Sequence, residues 1–370
     1  MRVITWLTAG LLGSLAFNAQ VFAQASSFDT KSGDELYRAG CAACHGHDGR
    51  GTPQSTVGFD TPLPDFTDCT FATPEPDSDW SAIIHRGGPA RAFDRRMPAF
   101  GEVLSDRAIE KLIGHLRGFC TSRKWPRGDL NFPRALVTEK AFPENETVIT
   151  ATIAGGGEPS VVTDFTYERR FGTRSQLDLV VPLELKGGGQ GGWQRGLGDV
   201  AFALKQTLFH SLESGTIFTA GAELGIPTGK ETRGFGKGVT VFEPFLALGR
   251  ILPSDGFFQM QTGMELPADS AKAGREAFVR AAAGKSFISD RFGRAWSPMI
   301  ELLAAREVSD EEKTQWDLVP QMQVTLSRRQ HISISAGLQI PMTGRGRRPK
   351  QLLTYFLWDW FDGGLFDGWR

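Results

Sequence analysis

From residue 144 to residue 361 the chain repeats one pattern: apolar and polar side chains alternate with a period of two, in stretches separated by turn-forming residues. Leu177, Leu179, Val181, Leu183 and Leu185 alternate with Asp178, Glu184 and Lys186. Ile332, Ile334, Ala336, Leu338 and Ile340 alternate with Ser333, Ser335 and Gln339, and Phe218, Ala220, Ala222 and Leu224 with Thr219 and Glu223. Successive side chains of a strand point to opposite faces, so each stretch is a strand with one apolar face and one polar face. A β-sandwich also alternates, but its strands are nearer ~5 to 6 residues, whereas these run about 10 to 14.

Twelve such strands are expected, near residues 144–154, 159–170, 174–185, 198–209, 215–226, 239–251, 256–266, 274–286, 292–306, 315–326, 331–341 and 351–361. Their connections alternate in length. Residues 187–197, 227–238, 267–273, 307–314 and 342–350 are long, while 171–173, 210–214, 252–255, 287–291 and 327–330 are short, with 155–159 the exception. An even strand number, alternation over about ten residues, and long loops opposite short turns are the signature of an outer-membrane barrel. An open edge in lipid would leave backbone groups unpaired, so the sheet must close.

Composition agrees. No apolar run outside the N-terminus approaches the ~20 residues of a membrane-spanning helix, and the mean hydropathy of −0.22 is what alternating lipid-facing and lumen-facing residues give. A net charge of −1 excludes a one-sign field of the kind that drives nucleic-acid binding. The chain has 27 Phe and 9 Trp beside 3 Tyr. Trp296, Trp316, Trp358 and Trp360 near strand ends, with Phe on strand exteriors, suit interfacial girdles. Asp164, Glu168, Asp178, Lys205, Glu223 and Glu301 are among the charges expected to face the lumen, either along a narrow aqueous path or paired into a closed network. The region resembles the bacterial outer-membrane porin-like and phenol-degradation-associated transporter-like families, on phrases such as Gly196-Leu197-Gly198-Asp199-Val200 and Glu223-Leu224-Gly225-Ile226-Pro227-Thr228-Gly229. That resemblance implies passage of ions or small molecules as one possible role.

The N-terminus reads as an address. Arg2, an apolar stretch from Val3 to Phe17 and small residues at Ala23 and Ala25 have the order of a secretory leader over residues 1–25, with a retained anchor as the alternative. Export delivers the rest of the chain to a compartment that permits disulfides.

Cys41-Ala42-Ala43-Cys44-His45 is a C-x-x-C-H motif. Thiols at this spacing each add to one vinyl group of a haem, and the histidine that follows becomes an axial ligand. A zinc site would need a second C-x-x-C nearby, which is missing. Helical periodicity leads into the motif over residues 31–40, and Ser105 and Asp106 open a second helix carrying Ile109, Leu112, Ile113 and Leu116 at helical spacing. With Met97-Pro98-Ala99-Phe100-Gly101, residues 26–120 resemble the small single-haem c-type cytochromes. That resemblance implies an all-α domain holding one covalent haem c, with His45 and Met97 as iron ligands and Cys41 and Cys44 as attachment points. His85 and His115 are the other candidate ligands, each read first as packing or surface histidines. His47 is too close to His45 to reach the opposite haem face.

Cys69 and Cys120 remain, and in an exported domain two leftover cysteines suggest a disulfide, with two free thiols as the alternative. Residues 121–142 hold five basic and two acidic residues together with Pro126 and Pro133, and read as an extended linker, solvated or folded against the haem domain, whose own charge is −4. The whole is thus expected to be a small all-α cytochrome c domain followed by an antiparallel transmembrane β-barrel over residues 143–370. The expected role is an electron carrier tethered to the outer membrane, exchanging electrons with a periplasmic donor or acceptor. A channel gated by the haem domain and a peroxidase-like enzyme are the alternatives.

Overall fold

The structure is a computed structural model that describes residues 28–58, 62–155, 159–188, 192–309, 313–344 and 346–359. The leader, Arg345, Trp360 and the terminal Gly368-Trp369-Arg370 lie outside the described residues. The chain divides into two compact units at Arg123 and Lys124.

The first unit is helical: α1 (Gly33–Gly40), α2 (Ala42–His45), α3 (Gln54–Val57), α4 (Cys69–Ala72), α5 (Asp77–Arg86) and α6 (Asp106–Phe119). Ser32 starts α1 with a reciprocal cap, its hydroxyl accepting from the Glu35 amide while the Glu35 carboxylate accepts from its own. The Ser105 hydroxyl accepts from the Ala108 amide and starts α6. Leu36 and Tyr37 of α1 pack against Ile109, Leu112, Ile113 and Leu116 of α6, with Phe66, Trp80 and Ile84 completing one core. Cys69 and Cys120 are joined by a disulfide, with Cα atoms 5.2 Å apart.

The second unit is a closed antiparallel barrel. Its strands are β1 (Glu146–Ala154), β2 (Ser160–Phe171), β3 (Ser175–Gly188), β5 (Val200–Ser211), β6 (Thr216–Ile226), β7 (Val241–Leu252), β8 (Gly256–Pro267), β9 (Glu276–Lys285), β11 (Ala295–Glu307), β12 (Gln315–Thr325), β13 (Ile332–Pro341) and β14 (Gln351–Asp359). Each pairs with the next in this order, and β14 pairs with β1 from Ala154 opposite Gln351 to Glu146 opposite Asp359. All twelve lie where alternation puts them. Two further strands are additions: β4 (Gly192–Leu197) folds back on β3 as an extended hairpin, and β10 (Phe287–Ile288) pairs with the start of β11.

The faces of this sheet are inverted relative to a water-soluble protein. Leu177, Leu183, Phe202, Leu204, Ile300 and Leu302 are exposed on the outside, while Gln176, Lys205, Thr219, Gln259 and Glu301 are buried on the inside. Trp296 is exposed at the short-turn end of β11 and Trp316 at the long-loop end of β12, while Trp358 is half-buried.

Residues 128–145 depart most from the expectation of a linker. They are neither a solvated spacer nor part of the haem domain's core: Leu130, Ala135, Thr138, Lys140, Phe142 and Glu144 are buried, and the segment lies inside the barrel. It enters at the short-turn end, where Arg170 packs over Trp125 and the Arg174 Nε donates to the Lys124 carbonyl. Leu136 to Glu139 reach Glu301, Gln321 and Gln261, near the middles of their strands. The chain then turns back past Phe142, again beside Arg170, into β1. Its polar backbone and charged side chains find partners in a wall that is itself polar, which is why it sits inside rather than in water.

Candidate haem site and barrel lumen

The C-x-x-C-H motif occupies α2 and its first flank, immediately after α1. Gly46 ends α2 at φ 73°, in the left-handed region that glycine enters without a Cβ clash. The buried Tyr37 hydroxyl donates to the carbonyls of Gly46 at 2.6 Å and His45 at 3.2 Å, which fixes the backbone that carries the imidazole. The His45 ring lies 5.1 Å from the Phe66 ring. Burial lowers the His45 pKa, favouring the neutral imidazole that coordinates metals, and pushes the Cys41 thiol up to about 11.

The Met97 loop is tied to the end of α5. The Phe100 amide donates to the Ile84 carbonyl at 2.9 Å and the Gly101 amide to the His85 carbonyl at 3.0 Å. The Gly88 amide donates to the Met97 carbonyl at 3.0 Å. A Cβ on Gly87 would lie 2.8 Å from that carbonyl oxygen, and one on Gly88 would lie 2.2 Å from the Asp94 carbonyl oxygen, so both glycines permit the close approach. Met97 is half-buried against the same core that Cys41 touches. The His85 ring packs against Gly101, where a Cβ would lie 2.3 Å from its Nδ1, and His115 packs between Tyr37 and Phe119, with ring centroids 5.1 and 5.0 Å away.

These residues fit a covalently held haem. Cys41 and Cys44 are thiols outside the disulfide, and the His45 Nδ1 is a buried polar atom with no hydrogen-bond partner. Met97 offers a thioether on the shared core. One buried side chain that sequence reasoning did not single out is Arg91, in the segment between α5 and Met97, whose Nε donates to Asp79 Oδ1 at 2.6 Å and ties that segment to α5.

In the second unit the geometry centres on the inner hairpin, residues 128–145. Arg134 Nη1 contacts Glu168 Oε1 at 2.6 Å and Glu146 Oε1 at 2.8 Å. Lys205 Nζ contacts Glu139 Oε1 at 2.6 Å, and Lys140 pairs with Glu144. Glu301 accepts from the amides of Leu136 and Thr138, each at 2.8 Å, and from the Thr138 hydroxyl at 2.7 Å. The Tyr355 hydroxyl donates to the Arg134 carbonyl at 2.8 Å, and Phe132 stacks on Phe257 at 5.9 Å. Sequence reasoning placed Glu168, Lys205 and Glu301 inside the barrel but missed their partners. The available signal was four large apolar residues, Leu130, Phe132, Leu136 and Phe142, in a stretch read as a linker.

Residues 28–116 match the family described as cytochrome c oxidase, cbb3-type, subunit III, and so form a cytochrome c domain; the match stops short of the barrel. No curated protein matches the chain. Among solved structures, an outer-membrane channel from Pseudomonas putida F1 is 12% identical, with 61% of this chain and 99% of that one covered at a TM-score of 0.45. The KdgM porin is 10% identical over 58% of this chain and 99% of its own, at 0.37, and the NanC porin 10% identical over 58% and 98%, at 0.39. The resemblance is one of barrel architecture and brings no substrate with it.

Proposed function

We propose that the chain is a c-type cytochrome electron carrier held in the outer membrane by its own barrel. The observation that carries this reading is the inverted barrel: a belt of exposed Leu, Ile and Phe around a largely polar interior suits lipid outside. Short turns and both sheet termini belong to one end, the periplasmic one in such barrels, so the preceding haem domain is periplasmic.

Cys41 and Cys44 would hold the haem, and His45 and Met97 would offer it an imidazole and a thioether; such a pair favours reduced iron relative to two histidines and would supply outer-sphere electron exchange. Tyr37 orients the His45 backbone, and Gly87 and Gly88 let the Met97 loop close. A haem held by both His45 and Met97 would leave peroxide no place at the iron, which sets the electron carrier above the enzymatic reading. The partner is a soluble periplasmic redox protein.

The test uses the mature full chain. Outer-membrane fractionation, a haem count of one per chain, a low-spin six-coordinate spectrum and rapid oxidation by a soluble periplasmic cytochrome are expected. High-spin, five-coordinate iron, or recovery in the soluble fraction, would overturn the reading.

A further inference from the structure

We propose that the inner hairpin, residues 128–145, is a displaceable plug, and that its withdrawal toward the short-turn end opens a cation-selective aqueous path through the barrel. The inference rests on the membrane placement of the barrel and not on the role of the haem.

Three observations support it. First, the wall around the hairpin is mixed: Leu130, Phe132 and Phe142 pack on Ile217, Phe245, Phe257, Phe278 and Met299, and the rest is built from polar groups that water can also serve. Glu301, fully buried, is held among the described residues by neutral donors: hairpin amides, the Thr138 hydroxyl and the Gln321 amide. Gln176 and Gln261 accept from the hairpin amides of Glu144 and Glu139, Gln259 donates to the Pro133 carbonyl, and Thr219 donates to the Ala141 carbonyl. Apolar packing at the hairpin's base holds it in place, so the closed state is the resting one. The polar part of the wall gains little from the hairpin over water and would remain solvated once the hairpin left.

Second, both ends of the hairpin return to the same end of the barrel, at Trp125 and at the start of β1. It can therefore leave as a loop, without threading the chain through the sheet or breaking a strand pair.

Third, the lumen beyond the hairpin tip is already hollow and strongly acidic. Leu136, Val137 and Glu139 border a cavity of about 400 Å³, with Asp164, Glu223, Glu243 and Arg280 on its walls. The acidity continues as a row across neighbouring strands. Glu223 is opposite Glu243, Glu265 opposite Glu276, and Glu276 opposite Glu307. Phe242 opposite Leu266 and Phe245 opposite Gly263 bring Glu243 alongside Glu265. Phe242 and Met264 are exposed on the outer face, so the glutamates beside them point inward. Like charges directly opposite one another cost a sheet stability. Lys237, paired with Glu265, and Arg280 offset only part of this charge. A row of carboxylates lining an aqueous path attracts cations and repels anions.

The test is conductance in planar bilayers under a KCl gradient. The full chain is expected to be closed for most of the recording. A variant with residues 128–142 replaced by a Gly-Ser linker of equal length is expected to carry steady current with a reversal potential on the potassium side. In that background Glu223→Gln, Glu243→Gln and Glu276→Gln together should keep the current and lose the selectivity. If the replaced variant does not fold, the full-length Glu301→Ala protein carries the test and should open more often than the parent. Folded variants, recognised by heat-modifiable mobility, that pass no more current than the parent would overturn the proposal. So would anion selectivity, or cation selectivity that survives the triple substitution. A full chain that never enters bilayers or vesicles would overturn the membrane reading as well, and is distinguished by that.

Discussion

Replacing Glu301 by alanine is the sharpest probe of how the hairpin is held. The Glu301 side chain is fully buried and accepts from the Leu136 and Thr138 amides at 2.8 Å and the Thr138 hydroxyl at 2.7 Å. A hydrogen bond to a charged group contributes about 1.5 to 3 kcal/mol net, so three of them set an upper bound well above what water entering the lumen would leave uncompensated. With roughly half recovered by water, docking of the hairpin weakens by about 3 kcal/mol. At 1.4 kcal/mol per tenfold change, that is an increase of about 100-fold in the undocked population. Hydrogen exchange on the full haem-loaded chain in detergent reads this directly. The Glu139 amide donates to Gln261 Oε1 at 3.1 Å and does not touch Glu301, so it reports on the hairpin rather than on the deleted contact. Its exchange should accelerate about 100-fold while amides in the strand pairs keep their protection. Glu301→Gln retains one acceptor oxygen and should fall between parent and alanine variant. Unchanged exchange at Glu139, or equal acceleration throughout the barrel, would refute the view that the hairpin moves as a separate unit.

Three further outcomes are expected. Removing the Cys69–Cys120 disulfide, with its sequence separation of 51, should lower haem-domain stability by roughly 4 kcal/mol, seen as a lower guanidinium midpoint for loss of helical signal. Met97→Ala should lower the midpoint potential and change the axial-ligand spectrum with the haem still attached through Cys41 and Cys44; an unchanged spectrum would remove Met97 from the ligand set. Burial, with Glu75 adding and Arg91 opposing, raises the Asp79 carboxyl from 3.8 to about 7. Its native pKa is raised, so the stability it contributes is full below the ordinary carboxylate value and is lost as pH rises through about 7. Urea unfolding of the haem domain in the full chain should show that loss between about pH 4 and pH 7, and Asp79→Asn should flatten it.

The strands were legible because an exposed apolar outer face and a polar inner face impose a strict period of two on each of them, and the sequence carries that period without needing to know its neighbours. The ends were harder. β3 runs on to Gly188 and β4 folds back on it, because a long loop rich in glycine continues pairing beyond the barrel rim, where no buried face marks the pattern. Cys41 to His45 were legible for a related reason: the chemistry needs its residues close together in sequence. Arg91 was not, since its partner Asp79 is 12 residues away on a helix whose amphipathic pattern is weak. The hairpin was the largest omission. Prolines and an excess of basic residues describe a solvated connector and a lumen-filling loop equally well. What separates them is the partners of Arg134, Thr138 and Glu139, at Glu168, Glu301 and Lys205, which are remote in sequence.

Those remote partners also bear on why the barrel has the interior it has. The proposed anchoring is a property of the outer face, where Leu177, Phe202, Leu204 and Ile300 are exposed, and it would be satisfied by any interior that packs. A small barrel used only as an anchor gains most by filling its core with interlocking apolar side chains, as small barrels commonly do. This one does so only in part, around Phe132, Phe142, Phe257 and Phe278, and elsewhere keeps Gln176, Lys205, Thr219, Gln259, Gln261 and Glu301 inside, satisfied by the backbone of a loop. Beyond that loop it sets Glu223 against Glu243 at a cost in sheet stability. Neither choice helps an anchor, and both are what a closable cation path requires. The outer face therefore suits the proposed anchoring of the cytochrome domain, and the inner face points to a second task for the same strands.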